Sequence, residues 1–326
     1  MKRRFKEALL TSTGAVDAEE IQMIQELWSG YGKIARMSLS GSEISSVIIK
    51  NIVWPSEVNH PRGWNTDVSH QRKVKSYQVE MMWYAKWSHL CDENCRVPKR
   101  FVSVSEGEEH FIVLEDLDAA GFPVRKSALT KGEVKVCLDW LANFHATFLN
   151  QSPSDLWEIG TYWHLSTRTD EFKTMKDGAI KKMAQQMDAM LTNCEFQTFV
   201  HGDAKVANFC FSEDGNRVAA VDFQYVGGGC GMKDVVYLLG SCLDEDACER
   251  FEIELLDFYF SALKKAVERK GIEIGFERLE NEWRRMYPLA WMDFTRFLLG
   301  WMPSHQKINR YSNKMADRVK PLFLID

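Results

Sequence analysis

The sequence predicts an α+β chain with an antiparallel sheet in its first third and helices through the remainder. Three observations carry this. Apolar and β-branched residues form short strand-like runs over 34–39, 44–52, 100–105 and 110–114. The apolar period then becomes helical over 131–150, 168–192, 245–270, 276–301 and 304–320. One strand-turn-strand interrupts the helices, 199–211 and 218–223 around Ser212-Glu213-Asp214-Gly215-Asn216. The change of period falls between Glu115 and Gly121, which predicts an N-terminal unit over 1–116 and a C-terminal unit over 117–326.

Taken in order, Asp17 reads as the cap of a short amphipathic helix reaching Trp28, with Glu19 and Glu20 in its acidic first turn. Ser40-Gly41-Ser42 separates the first two strands as a hairpin turn. Pro55, Pro61 and Gly63 mark a loop over 54–65 that leads to a helix over 68–89. Two further strands follow, joined by a charged turn over 106–109.

Composition excludes several functions. With 41 basic and 46 acidic side chains, the net charge of -5 lacks the cationic excess that backbone-directed nucleic-acid binding needs. The longest apolar runs, 235–239 and 297–302, fall far short of a membrane span. The basic start Met1-Lys2-Arg3-Arg4 is not followed by a signal-length apolar stretch. The eight cysteines lack the density of a secreted disulfide scaffold, and Cys91 with Cys95 has no second pair at zinc-finger spacing. The expectation is a soluble, cytoplasmic protein.

His201-Gly202-Asp203-Ala204-Lys205-Val206-Ala207-Asn208, followed after the predicted hairpin by Asp222-Phe223-Gln224, resembles the catalytic loop and metal-binding motif of the protein-kinase-like fold, and the roles of its residues are those the resemblance implies. Phosphoryl transfer to a hydroxyl needs a carboxylate beside the attacking oxygen and oxygen ligands that hold Mg²⁺ against the nucleotide phosphates. Asp203 is the candidate for the first task, Asn208 and Asp222 for the second. The hairpin would return Asp222 to the mouth occupied by Asp203. His201 is expected to orient the loop, and Lys205 either to touch the transferred phosphate or to face solvent.

This pattern resembles the H-x-D-x-x-x-x-N and D-F-x motifs of protein-kinase-like folds. The resemblance implies a strand lysine for the α/β-phosphates and a helix carboxylate to hold it. Lys50 ends Val47-Ile48-Ile49-Lys50, and Glu80 lies in the next helix. It also implies a glycine turn over the phosphates, for which Gly30 and Gly32 are candidates, although the third glycine is replaced by Ala35 and the pair could instead end the first helix. Val113-Leu114-Glu115-Asp116-Leu117 would lead into a hinge where Glu115 and Leu117 offer backbone groups to an adenine edge.

With Leu141-Ala142-Asn143-Phe144-His145-Ala146, the chain is similar to the aminoglycoside phosphotransferase and choline kinase superfamily, and most like its ecdysteroid-kinase-like branch. That resemblance implies a two-lobed protein-kinase-like fold with a small antiparallel-sheet N-lobe and a larger, mainly helical C-lobe. It also implies ATP and Mg²⁺ as cofactors and a hydroxylated small molecule as acceptor. Asp234, at the start of a helix, is expected to cap it and to brace the catalytic loop.

Two other readings compete. A catalytically silent nucleotide-binding module would share the fold. Gly227-Gly228-Gly229-Cys230-Gly231 invites a nicotinamide-dependent oxidoreductase, but its spacing puts Met232 or Asp234 where the third glycine belongs, and a flexible loop is the plainer reading. For the acceptor, Trp283, Tyr287 and Trp291 form a stripe on one helix face, as core or as a pocket wall. Asp244-Glu245-Asp246, Glu249 and Glu252 could gather ammonium groups or start a solvated helix.

Overall fold

The computed structural model describes residues 1–27, 30–54 and 67–323. The chain divides into two compact units, one of residues 1–92, 96–124 and 210–221, the other of 93–95, 125–209 and 222–326.

The first unit opens with helix α1 (Arg3–Thr13), then strands β1 (Asp17–Glu26), β2 (Gly32–Ser40) and β3 (Ser46–Val53), helix α2 (Asp67–Met82), and strands β4 (Arg100–Glu106) and β5 (Glu109–Glu115). The five strands form one antiparallel sheet in the order β1-β2-β3-β5-β4. Phe5 and Leu9 of α1 pack on the sheet residues Met37, Val47, Ile49, Phe111 and Val113, and this buried cluster is the unit's core. Removing such apolar side chains from water is the main favourable term for a unit of this size.

The segment expected to form a helix from Asp17 is strand β1, and Trp28, its expected end, lies outside the described residues. β1 is an edge strand with Ile21, Met23 and Ile24 all exposed, so neither face imposes the period-2 burial that marks a strand in sequence. Its bonds to β2 hold it instead. The loop expected over 54–65 falls almost wholly outside the described residues. The helix after it is α2, continued by a turn of wider helix at Trp83–Trp87.

After the short strand β6 (Val124–Arg125) the chain runs through α3 (Lys131–Thr147), α4 (Thr169–Thr174) and α5 (Ala179–Thr192), then β7 (Thr198–Val200), β8 (Phe209–Phe211), β9 (Val218–Ala220) and β10 (Gly227–Gly229). It ends with α6 (Met232–Cys242), α7 (Glu245–Arg269), α8 (Phe276–Trp301) and α9 (Arg310–Val319). The single helix expected over 168–192 is two, because the chain turns between Met175 and Gly178. The other helical expectations match α3, α7 and α8, while α9 is shorter than 304–320.

The glycine run is not a flexible loop. Gly227, Gly228 and Gly229 form strand β10, antiparallel to β7. A second backbone passes against it: a Cβ on Gly227 would lie 2.2 Å from the Trp157 carbonyl oxygen. Small residues are needed there for close packing, so the run offers no open phosphate cradle, and the oxidoreductase reading loses its one support.

Candidate active site

Strand β7 delivers the chain to His201, Gly202 and Asp203, and the fold holds that turn through its backbone. Asp234, in the first turn of α6, accepts from the His201 and Gly202 amides at 2.6 and 3.0 Å. Its carboxylate also meets His145 Nε2 at 3.2 Å, while His145 Nδ1 meets the Tyr259 hydroxyl at 2.8 Å. His145 is fully buried and acts as packing and bracing. The expectation that Asp234 caps α6 is corrected: Gly231 is the N-cap, and the Asp234 side chain turns to the loop.

Gly202 sits at φ +78°, and a Cβ there would lie 2.1 Å from the Tyr225 carbonyl oxygen. Only glycine combines this left-handed backbone with so close an approach. His201 is fully buried, lies tilted against Phe223 with ring centroids 4.5 Å apart, and accepts from the Asp203 amide through Nδ1 at 3.3 Å. Its ring therefore sets the loop, in line with the orienting role expected for it.

Four of the expected site residues come together in the second unit. Asp203 Oδ2 accepts from Lys205 Nζ at 2.9 Å and from Asn208 Nδ2 at 3.1 Å, and Asn208 also donates to the Asp203 carbonyl at 2.8 Å. Oδ1 of Asp203 is buried and makes no hydrogen bond of normal length among the described residues, and the Tyr237 hydroxyl interacts with the same carboxylate. Burial raises the Asp203 pKa, opposed by the Lys205 charge and reinforced by the nearby Asp222 carboxylate. For Lys205 burial pulls the other way, yet Asp203 and Asp222 leave its pKa raised. Asp222 has φ +69°, a left-handed conformation rare for a residue with a side chain, and its Oδ1 accepts from Gln224 Nε2 at 2.7 Å.

The donor set suits a hard cation. Asn208 spends its amide nitrogen on Asp203, which leaves its side-chain carbonyl oxygen for a cation, and the Asp222 carboxylate lies near the same Asp203. Among the described residues no group of three or more His, Cys, Asp or Glu side chains could enclose a metal ion. Mg²⁺ bound through one or two protein oxygens and completed by phosphates and water fits such a set; zinc does not.

Lys50 and Glu80 form a pair within the first unit. Lys50 lies in the middle of β3, opposite Ile34 and Ile112, and its Nζ is 2.5 Å from Glu80 Oε2 of α2. Both are buried. Gly30 and Gly32 have φ +78° and +121°; Gly30 lies between β1 and β2 and Gly32 opens β2, so the alternative in which they end a helix is corrected. The Glu115 side chain is taken by Arg96 Nη2 at 2.6 and 2.7 Å, and the Leu117 carbonyl accepts from the Phe122 amide.

Neither expected acceptor feature survives as a wall or a charge trap. Trp283, Tyr287 and Trp291 are buried core, with Tyr287 bonded to Tyr311. Asp244 caps α7, and Asp246, Glu249 and Glu252 pair with Arg310, Lys314 and Arg318 of α9. A different aromatic group lies at Asp203. Tyr162, Trp163, Tyr237 and Phe294 pack with centroids 4.9 to 5.4 Å apart, edge to face except for the tilted Trp163–Tyr237 pair. Burial and the Asp203 charge together raise the pKa of Tyr162 and of Tyr237. Tyr237 lies in an apolar helix run, and nothing in the sequence marks it apart from core.

A family model described as the ecdysteroid kinase-like family matches residues 66–152 and 158–272. No curated protein matches the chain. Among solved structures it is similar to an ethanolamine kinase from Plasmodium vivax, at 11% identity over 94% of this chain and 82% of that one, with a TM-score of 0.49. An aminoglycoside phosphotransferase from Streptomyces rimosus is 12% identical over 88% and 97% of the two chains, with a TM-score of 0.43. An aminoglycoside-3'-phosphotransferase of type VIII is 14% identical over 86% and 100%, with a TM-score of 0.43.

Proposed function

The chain belongs to the ecdysteroid kinase-like family, and on that premise we propose that it is an ATP-dependent, Mg²⁺-requiring kinase that phosphorylates a hydroxyl group of a small molecule. The observation that carries this reading is the grouping of Asp203, Lys205, Asn208 and Asp222, with one Asp203 oxygen buried and making no hydrogen bond of normal length among the described residues.

The step breaks the bond between the γ-phosphorus and the ADP oxygen and makes one to the acceptor oxygen. The acceptor proton passes to Asp203, whose buried Oδ1 has a lone pair available for it. Asn208 holds that carboxylate in place through Oδ2. The Lys205 charge and hydrogen bond oppose the rise that burial imposes on the Asp203 pKa, and the same ammonium would share charge with the transferred phosphoryl group. Asn208 and Asp222 would hold Mg²⁺, which when bound offsets phosphate charge. Lys50, ordered by Glu80, would bind the α/β-phosphates, with the backbone at Gly30 and Gly32 and the hinge at Glu115 and Leu117 contributing to the nucleotide site.

The test is acceptor-dependent ADP release with Mg-ATP over a panel of hydroxylated metabolites. Wild type is expected to turn over at least one acceptor. Asp203→Asn should reduce kcat by about 10²- to 10⁴-fold, the range of general-base contributions, while Mg-ATP still raises its melting midpoint. Equal rates in the two proteins would remove Asp203 from the role.

A further inference from the structure

The aromatic group beside Asp203 is the kind of box that holds an ammonium ion, since ring faces attract cations. The chain already puts one there. Lys307, in the turn between α8 and α9, places its Nζ 5.4 Å from the Tyr237 centroid and 5.6 Å from the Phe294 centroid. Among the described residues no hydrogen bond or ion pair ties this nitrogen to a carboxylate, although its charge interacts with those of Asp203 and Lys205. Burial lowers its pKa.

The turn that carries it is anchored on both sides. The Lys307 amide donates to His305 Nδ1 at 3.1 Å, Ile308 packs on the Trp163, Tyr237 and Phe294 cluster, and Asn309 caps α9. Arg168 also lies over the Tyr162 ring, and over the adjoining Phe297, but it is paired with Glu171 and so contributes little net charge.

We propose that Lys307 is a specificity-determining residue whose ammonium occupies the aromatic box at the acceptor end of the site, so that the enzyme excludes cationic acceptors and takes uncharged or anionic hydroxyl compounds. The inference rests on the kinase reading for the word acceptor and on ring and ammonium geometry for the exclusion. A ligand bringing its own ammonium to these rings would have to displace Lys307 and would meet the Lys205 charge as well. A neutral ligand would meet the partly buried Tyr162 ring without displacing a charge, and an anionic group gains from both lysines.

The test uses the full chain and two readouts. Binding of tetramethylammonium chloride, followed by tryptophan fluorescence, is expected to be non-saturable in wild type and in Lys307→Arg, and saturable and at least tenfold tighter in Lys307→Met. Saturable binding to wild type, or no gain in Lys307→Met while its thermal midpoint stays near wild type, overturns the inference. A Lys307→Met that does not fold is replaced by Lys307→Gln, read the same way. In ADP release, wild type should use neutral or acidic hydroxyl compounds at least tenfold better than choline, ethanolamine or an aminoglycoside, and the reverse order overturns the inference. Absence of Mg-ATP turnover with every acceptor contradicts the kinase reading, whereas the tetramethylammonium result decides the role of Lys307 in the box.

Discussion

Asp203 is buried next to Asp222, and its ionised form is favoured by Lys205. The sign of the pH effect follows. A base must be unprotonated, burial raises its pKa, and the Lys205 charge and hydrogen bond lower it. Lys205→Met should therefore move the acid limb of kcat/KM to higher pH, by about one unit, and an unmoved limb would separate the two residues. At Gly202 the constraint is steric. Gly202→Ala combines a left-handed backbone with a clash against the Tyr225 carbonyl, and denaturant unfolding should show a loss of about 3 kcal/mol, the upper range for one strained residue. A change under about 0.5 kcal/mol would mean that the loop relaxes. Asp203, Asn208 and Asp222 were legible because their spacing is local. Lys307 and Tyr237 were not, because the folded chain brings them to Asp203 from helix and turn segments that read as ordinary core and linker.

Among elements, the β3–α2 pairing carries the clearest energetic consequence. Lys50 and Glu80 are both buried, so deleting one partner removes an ion pair that is held away from water. Glu80→Ala should cost about 3 kcal/mol of stability in a denaturant titration and weaken nucleotide affinity; neutrality in both would mean that the pair is dispensable. Two elements show where periodicity misleads. β1 carries acid at its start and exposes apolar residues on an edge, which reads as a capped helix. β10 is glycine throughout, which reads as a loop, yet its residues are small because the Trp157 backbone lies against them. Neither local propensity nor alternation records the neighbouring strand that decides both.

At the scale of the whole molecule, each unit carries its own part of the expected machinery: the Lys50–Glu80 pair on the sheet unit, and Asp203, Lys205, Asn208 and Asp222 on the helical unit. The α+β architecture was legible because strand-like periods dominate the first third of the chain and helical ones the remainder. The acceptor end was less so. The helical stripe of Trp283, Tyr287 and Trp291 obeys the same 3.6-residue rule whether it faces core or ligand, and burial decides for core. No helix among the described residues is long and apolar enough to cross a membrane.

Calorimetric titration of ATP with Mg²⁺ present or chelated, into wild type and Asp222→Asn, tests the central claim most directly because it needs no acceptor. Wild type should bind ATP at least tenfold more tightly with Mg²⁺, and Asp222→Asn should lose most of that difference. Equal affinity with and without the metal in wild type, or a full metal effect in the variant, would contradict the account.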